Sequence, residues 1–157
     1  MKVISKGADK IPGVGDAAPK VATDTLASAK GDESAIDTRQ PPAPELHQKS
    51  FADVVGKKPV ALLFATPQLC QSRVCGPVTD IALQLKQKYG DRVDFIHQEV
   101  YVDNDPSKGL RPPLRAFGLR SEPWLFVVNR KGIITARLEG SIGVKAFEQA
   151  VRSGLSG

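Results

Sequence analysis

The sequence predicts an α/β fold, with a mixed central sheet flanked by helices and an extended N-terminal arm. Three observations carry this. Residues 59–65, PVALLFA, form a continuous apolar run bounded by Lys57-Lys58 and Thr66-Pro67. That length suits a strand buried on both faces, as in the centre of a sheet. Helical and strand patterns then alternate to the C-terminus. All nine aromatic residues lie at or after Phe51, so the bulk of the core must come from that part of the chain.

The elements follow in order. From Val74 the apolar positions Val74, Val78, Ile81, Ala82, Leu85 and Tyr89 fall on one helix face, and Gly90 ends it. Residues 93–102, VDFIHQEVYV, are rich in β-branched and aromatic side chains and predict a second strand. Asp103 to Pro113 carries Asn, Asp, Gly and three prolines and predicts a loop. Leu114 to Leu119 predicts a short helix closed by Gly118. Residues 124–140 split at Arg130–Gly132 into two strands of an antiparallel hairpin. From Gly143 to Ser153, Val144, Phe147, Ala150 and Val151 share one side of a final amphipathic helix. A parallel βαβ unit followed by a hairpin and a helix gives the mixed sheet.

Residues 1–50 differ in composition. They hold five prolines, four glycines and equal numbers, seven each, of basic and acidic residues. Low hydrophobicity gives such a stretch little area to offset ordering entropy. Residues 1–45 are therefore expected to be an arm, partly disordered, and residues 46–157 the folded domain. The arm is expected to drape over the core with a short strand or hairpin near Lys20–Leu26, and its first ten or so residues are expected to be mobile. Pro41-Pro42 and Pro44 read as an extended connector.

Several function classes are disfavoured at once. The net charge of +5 comes wholly from residues 51–157, but its lysines and arginines are scattered rather than clustered. That is a solvated surface and not a nucleic-acid face. No apolar run approaches the roughly 20 residues that span a bilayer. The first ten residues lack the apolar stretch of a secretory signal, so the chain is either cytosolic or a mature form whose leader was removed. Gly13-Val14-Gly15 lacks the third glycine and the helix of a phosphate loop. No Ser-His-Asp spacing is recognisable.

The chemistry-bearing residues are two cysteines, Cys70 and Cys75, just after the first core strand. A thiol at a helix start meets unpaired backbone N–H groups and the positive dipole end, which favours the reactive thiolate. A second thiol about one turn on can resolve a mixed disulfide. Arg73, between them, adds positive potential. The plain alternative is a permanent bridge, but so short a loop gains only about 2 kcal/mol or less of chain-entropy stabilisation.

The order of elements and three motifs resemble the thioredoxin-like superfamily, in its thiol-redox and peroxiredoxin branches. Val14-Gly15-Asp16-Ala17-Ala18-Pro19 is similar to the opening of those branches. The segment from Phe64 to Pro77, with Cys70 and Cys75-Gly76-Pro77, sits where the redox motif belongs. The segment Phe117-Gly118-Leu119-Arg120-Ser121-Glu122-Pro123-Trp124-Leu125 resembles the family segment whose proline is cis and faces the cysteine. The resemblance implies a thiol–disulfide oxidoreductase that exchanges disulfides with partner proteins, as a monomer and without a cofactor. By the same resemblance Pro123 is cis and shapes a substrate groove, with Glu122 and Trp124 at its rim.

The usual family motif is Cys-Gly-Pro-Cys, and here Val78 follows Pro77. Two registers stay open, and the one with Cys70 attacking and Cys75 resolving is favoured. The family's buried acid before the strand phenylalanine is replaced by Leu63. Glu99 and Glu122 are the substitutes for it, Glu99 as a possible proton shuttle. The plain reading of Glu99 is a solvent-facing or sheet-edge glutamate.

Three alternatives accompany this reading. Thr66-Pro67-Gln68-Leu69-Cys70 with Cys75 is similar to the motif of some peroxiredoxins, with one extra residue before the cysteine, which implies a thiol peroxidase. A non-catalytic thioredoxin-fold binding module with a structural disulfide is the second. Metal binding is the third. Copper-chaperone relatives carry Cys-x3-Cys-Pro and a distant histidine, but here four residues separate the cysteines. His47 falls in a loop and His97 within a strand, so no metal is expected. The long polar arm resembles the tether of envelope-anchored relatives, which implies a lean toward an extracytoplasmic location.

Overall fold

The computed structural model describes residues 11–69 and 75–156. Before the sheet lie helix α1 (Glu33–Ile36), a 3-10 turn at Pro44–His47 and helix α2 (Phe51–Val54). Strand β1 (Val60–Phe64) and helix α3 (Cys75–Tyr89) follow, then β2 (Asp94–Gln98), α4 (Pro112–Phe117), β3 (Trp124–Val128), β4 (Ile134–Glu139) and α5 (Val144–Leu155). The sheet order is β2-β1-β3-β4. β1 runs parallel to β2 and antiparallel to β3, and β3 is antiparallel to β4. This is the mixed sheet expected from the sequence.

β1 takes an inner position because all five of its side chains are apolar and buried. Alternation divides the sheet into two faces. Ala61, Leu63, Leu125 and Val127 point into one core, filled by Val78 and Leu85 of α3 and by Phe147 and Val151 of α5. Val60, Leu62, Phe64, Phe126 and Val128 point into the other, with Phe51 and Phe117. There Phe117 lies 5.1 Å from Phe64 and 4.8 Å from Phe126, ring centre to ring centre. Full burial of such side chains contributes about 1.5–3 kcal/mol each.

Helix ends follow their local signals. Gly90, at φ 58, ends α3, whose last turn carries Lys86 and Lys88; cations favour that end of the helix dipole. α4 starts on Pro112 and stops at Gly118, whose left-handed backbone donates to Arg115 and Leu114 carbonyls. In the β3–β4 turn, Asn129 Oδ1 accepts from the Lys131 and Ile133 N–H groups. Gly154 of α5 is a close-approach site, since a Cβ there would stand 2.6 Å from Val127 Cγ1. Among the described residues no helix is long and apolar enough to cross a membrane.

Three expectations are corrected. The strand over 93–102 is only five residues long, because after Gln98 the chain turns away and rejoins Leu110 by a single bridge at Tyr101. No strand or hairpin forms at Lys20–Leu26. Three of its backbone donors go to side chains instead, Thr23 N–H to Ser50 Oγ, Asp24 N–H to Gln98 Oε1 and Thr25 N–H to Ser28 Oγ, while Leu26 N–H donates to the His47 carbonyl. The prolines of the arm are not simply a spacer, since Gln40–Pro41 is cis and Pro44 opens the 3-10 turn. Ile36, Ala43 and Leu46 are buried, so the core also draws on residues before Phe51. Residues 1–10, expected to be mobile, lie outside the described residues.

Candidate functional site

β1 delivers the chain to Ala65 and Thr66, and α3 begins at Cys75. Cys75 is fully buried, within the core cluster between the sheet and α3. No cysteine among the described residues is a free thiol. Cys70 and Arg73 lie outside the described residues.

The register of the sheet brings the second motif to the same end. Phe64, the last residue of β1, pairs with Trp124, the first of β3. Pro123 therefore precedes β3 at the edge where β1 releases the cysteine segment, and the Glu122–Pro123 peptide is cis. Glu122 is half-buried and accepts a hydrogen bond from the Tyr101 hydroxyl at 3.2 Å. Burial pushes its carboxyl above the ordinary glutamate range, and the Tyr101 hydrogen bond opposes that rise. Trp124 departs from the expected rim position. It is 5% exposed, stacks on Phe126 at 5.9 Å and donates its indole N–H to Ser121 Oγ. A large ring at a central sheet position gains more by core packing than by facing a groove.

Glu99 is also corrected: it is fully buried, not solvent-facing. Its Oε2 accepts from Thr38 N–H at 2.8 Å and from Thr38 Oγ1 at 2.9 Å. The same hydroxyl accepts from Gln68 N–H at 3.0 Å. A hydrogen-bonded path thus runs from Glu99 to the backbone two residues before Cys70. Thr66, the residue similar to the peroxiredoxin threonine, is fully buried, and its hydroxyl has no partner among the described residues.

Beside Glu99 sits a polar cluster that sequence reasoning missed. Asp37, His47 and His97 are buried together. His47 Nε2 is 2.9 Å from Asp37 Oδ2, and His97 Nδ1 is 3.6 Å from Asp37 Oδ1. His97 Nε2 donates to the Ala65 carbonyl at 2.7 Å and lies 3.7 Å from Glu99 Oε2. Burial pushes the His97 ring below the usual histidine range, a fall that His47 deepens and Glu99 and Asp37 oppose. Burial alone would raise Asp37. The His47 hydrogen bond, the His97 ring and the N–H groups of Ala43 and Arg39 outweigh it and hold the carboxyl below its ordinary range. His97 is in register with Leu63, the position where the resemblance expected an acid. No local pattern marks this cluster, because its members come from the arm, from the 3-10 turn at Pro44–His47 and from β2.

A surface cleft of about 420 Å³ opens beside the start of α3, between Thr38–Gln40 of the arm, Pro67–Gln68 and Gly76–Pro77. Arg39 spans it, holding Asp80 of α3 at 2.9 Å and the Pro41 carbonyl at 2.8 Å. Pro123 is not among its lining residues.

No protein-family model and no curated protein sequence matches the chain. Solved structures do. A Chlorobium tepidum protein described as a candidate thiol:disulfide interchange protein DsbE superposes with a TM-score of 0.62 at 16% identity, over 92% of this chain and 99% of its own. A thiol:disulfide interchange protein of the thioredoxin family from Chlorobium tepidum TLS gives 0.58 at 15% identity, over 92% and 99%. The thioredoxin domain of a Bacteroides vulgatus thiol-disulfide oxidoreductase gives 0.55 at 19% identity, over 89% and 99%. Likeness at this level of identity speaks to the fold.

Proposed function

We propose that this chain, whose fold is thioredoxin-like, is a thiol–disulfide oxidoreductase acting on partner proteins through Cys70 and Cys75. The observation that carries the reading is placement. Cys75 heads the 15-residue helix that follows the central strand, and the cis Pro123 heads the antiparallel neighbour at the same end of the sheet. The burial of Cys75 supports Cys70 as the attacking thiol.

In the reducing direction, the Cys70 thiolate attacks one sulfur of a partner disulfide. A mixed disulfide forms, and one partner thiolate leaves. Cys75, deprotonated, then attacks Cys70 Sγ. The mixed disulfide breaks, the second partner thiolate leaves, and the pair ends oxidised as the partner ends reduced. The oxidising direction is the reverse. Arg73, between the two cysteines in sequence, adds positive potential that favours the thiolate. Glu99 is the candidate proton shuttle, and through Thr38 and Gln68 it also positions the loop before Cys70. Pro123 and Glu122 form the wall of the partner site.

Glutathione titration with mass-spectrometric thiol counting tests this. A reduction potential between about −270 and −120 mV is expected. A value below about −300 mV identifies a structural staple and overturns the reading. Cys75→Ser is expected to trap a mixed disulfide on Cys70 that Cys70→Ser does not form.

A further inference from the structure

We propose that Asp37, His47 and His97 form a buried site for a first-row divalent transition-metal cation that fastens the arm to β2. The chain has two histidines, 50 positions apart, and both reach the same carboxylate. Their ring centres are 5.2 Å apart. The side chains of all three residues are fully excluded from solvent.

The orientation of His97 is the decisive feature. The Ala65 carbonyl can only accept, so the His97 ring carries its hydrogen on Nε2. Nδ1 of the neutral ring is then a bare lone pair, with no hydrogen-bond partner among the described residues. It faces Asp37 Oδ1, a second acceptor, at 3.6 Å. Two acceptors aimed at each other in a dry interior are costly unless a positive charge lies between them.

The distances suit a small cation. Bonds of about 2.0–2.1 Å in a tetrahedral shell put neighbouring donor atoms about 3.4 Å apart. His47 Nε2 stands 2.9 Å from Asp37 Oδ2 and His97 Nδ1 stands 3.6 Å from Asp37 Oδ1, so each ring nitrogen is near that spacing from one of the two carboxylate oxygens, and a carboxylate can ligate through both. All three donor atoms lie within 4.8 Å of one another, so modest contraction closes the set. Two imidazoles and one carboxylate select zinc-like ions over calcium or magnesium. The outer groups that orient metal ligands are also present. His97 Nε2 is held by Ala65 and faces Glu99, and Asp37 is held by the N–H groups of Ala43 and Arg39. On loading, His47 Nε2 turns its lone pair to the metal, and the ring hydrogen moves to Nδ1 or leaves.

Such a site loads as the chain folds. The full chain is unfolded with a chelator, refolded with or without Zn2+, and freed of loose metal by gel filtration. About one zinc per chain should be retained, with a raised melting temperature, and His97→Gln should lower retention at least about tenfold. Co2+ substitution of the unaltered chain reads the ligands without any variant: nitrogen and oxygen ligation gives tetrahedral d–d bands and no thiolate charge-transfer band. A thiolate band would place the metal on the cysteines and overturn the proposal. Retention unchanged in a folded His97→Gln chain would do the same. Failure of the unaltered chain to retain metal would leave a hydrogen-bonded His–Asp–His network only. None of these readouts follows disulfide exchange, so their failure leaves the proposed function standing.

Discussion

Arg111→Met asks whether the arm is part of the cooperative domain. Arg111 sits just before α4 and is 8% exposed. Its guanidinium donates to four oxygens: Tyr101 O and Asp24 Oδ2, both at 2.7 Å, and Ala35 O and Asn104 Oδ1, both at 2.9 Å. Two of these acceptors belong to the arm and two to the loop after β2. Methionine keeps the stem in place and deletes every donor. The carbonyls of Tyr101 and Ala35 then lose a charged donor, at about 1 kcal/mol each. Loss of a buried ion pair costs about 3–5 kcal/mol. Here the Asp24 side chain is 34% exposed and keeps the amide of Gln98 at 2.8 Å, so water and Gln98 recover most of that. About 1 kcal/mol for the pair brings the total to about 3 kcal/mol. Urea unfolding at pH 7 measures it, with the slope of the transition as a control for two-state behaviour. Limited proteolysis should show earlier cleavage before Phe51. A loss below about 1 kcal/mol, with the arm cleaved as before, would refute the view that these hydrogen bonds tie residues 11–50 into the domain.

Gly154→Ala should destabilise by about 1–3 kcal/mol, because the added methyl overlaps Val127 and pushes α5 from the sheet; thermal unfolding reads it, and a stabilised variant would show that α5 does not pack this closely. Glu148 joins α5 to the end of α3 through Lys88 at 2.6 Å and the Tyr89 hydroxyl at 2.6 Å, and these partners draw its carboxyl down from 4.5 to about 2. Its folded value lies below its unfolded one, so its contribution is present above about 4.5 and is lost as pH falls toward 2. The acid branch of the urea midpoint should therefore flatten in Glu148→Gln, and an unchanged branch would remove Glu148 from the acid response. Thr38→Val deletes the hydroxyl between Glu99 and Gln68. It should slow disulfide exchange and shift its pH profile, while an unaltered profile would detach Glu99 from the cysteine segment.

The polypeptide's own pattern was enough for the scaffold. The run Val60–Phe64 has no polar face and so becomes the central strand. The apolar spacing of Val78, Ala82, Leu85 and Tyr89 writes the buried face of α3, and Gly90 and Gly118 stop the two helices. These signals are read within a few residues, where backbone preference and side-chain period act. The cysteine pair and the resemblance around Pro123 are legible for the same reason, as contiguous motifs. Glu99 was visible only as a glutamate in a strand-like run, and Trp124 only as an aromatic beside a proline. What decided them was the sheet register, the early exit of the chain after Gln98, and the arm laid across that exit. Asp37, His47 and His97 carry no shared local mark. Thr38 reaches Glu99 across 61 residues and Asp24 reaches Gln98 across 74. A buried polar group must find a partner wherever the folded chain supplies one. That partner is chosen by the packing of distant segments, so only the tertiary structure could name it.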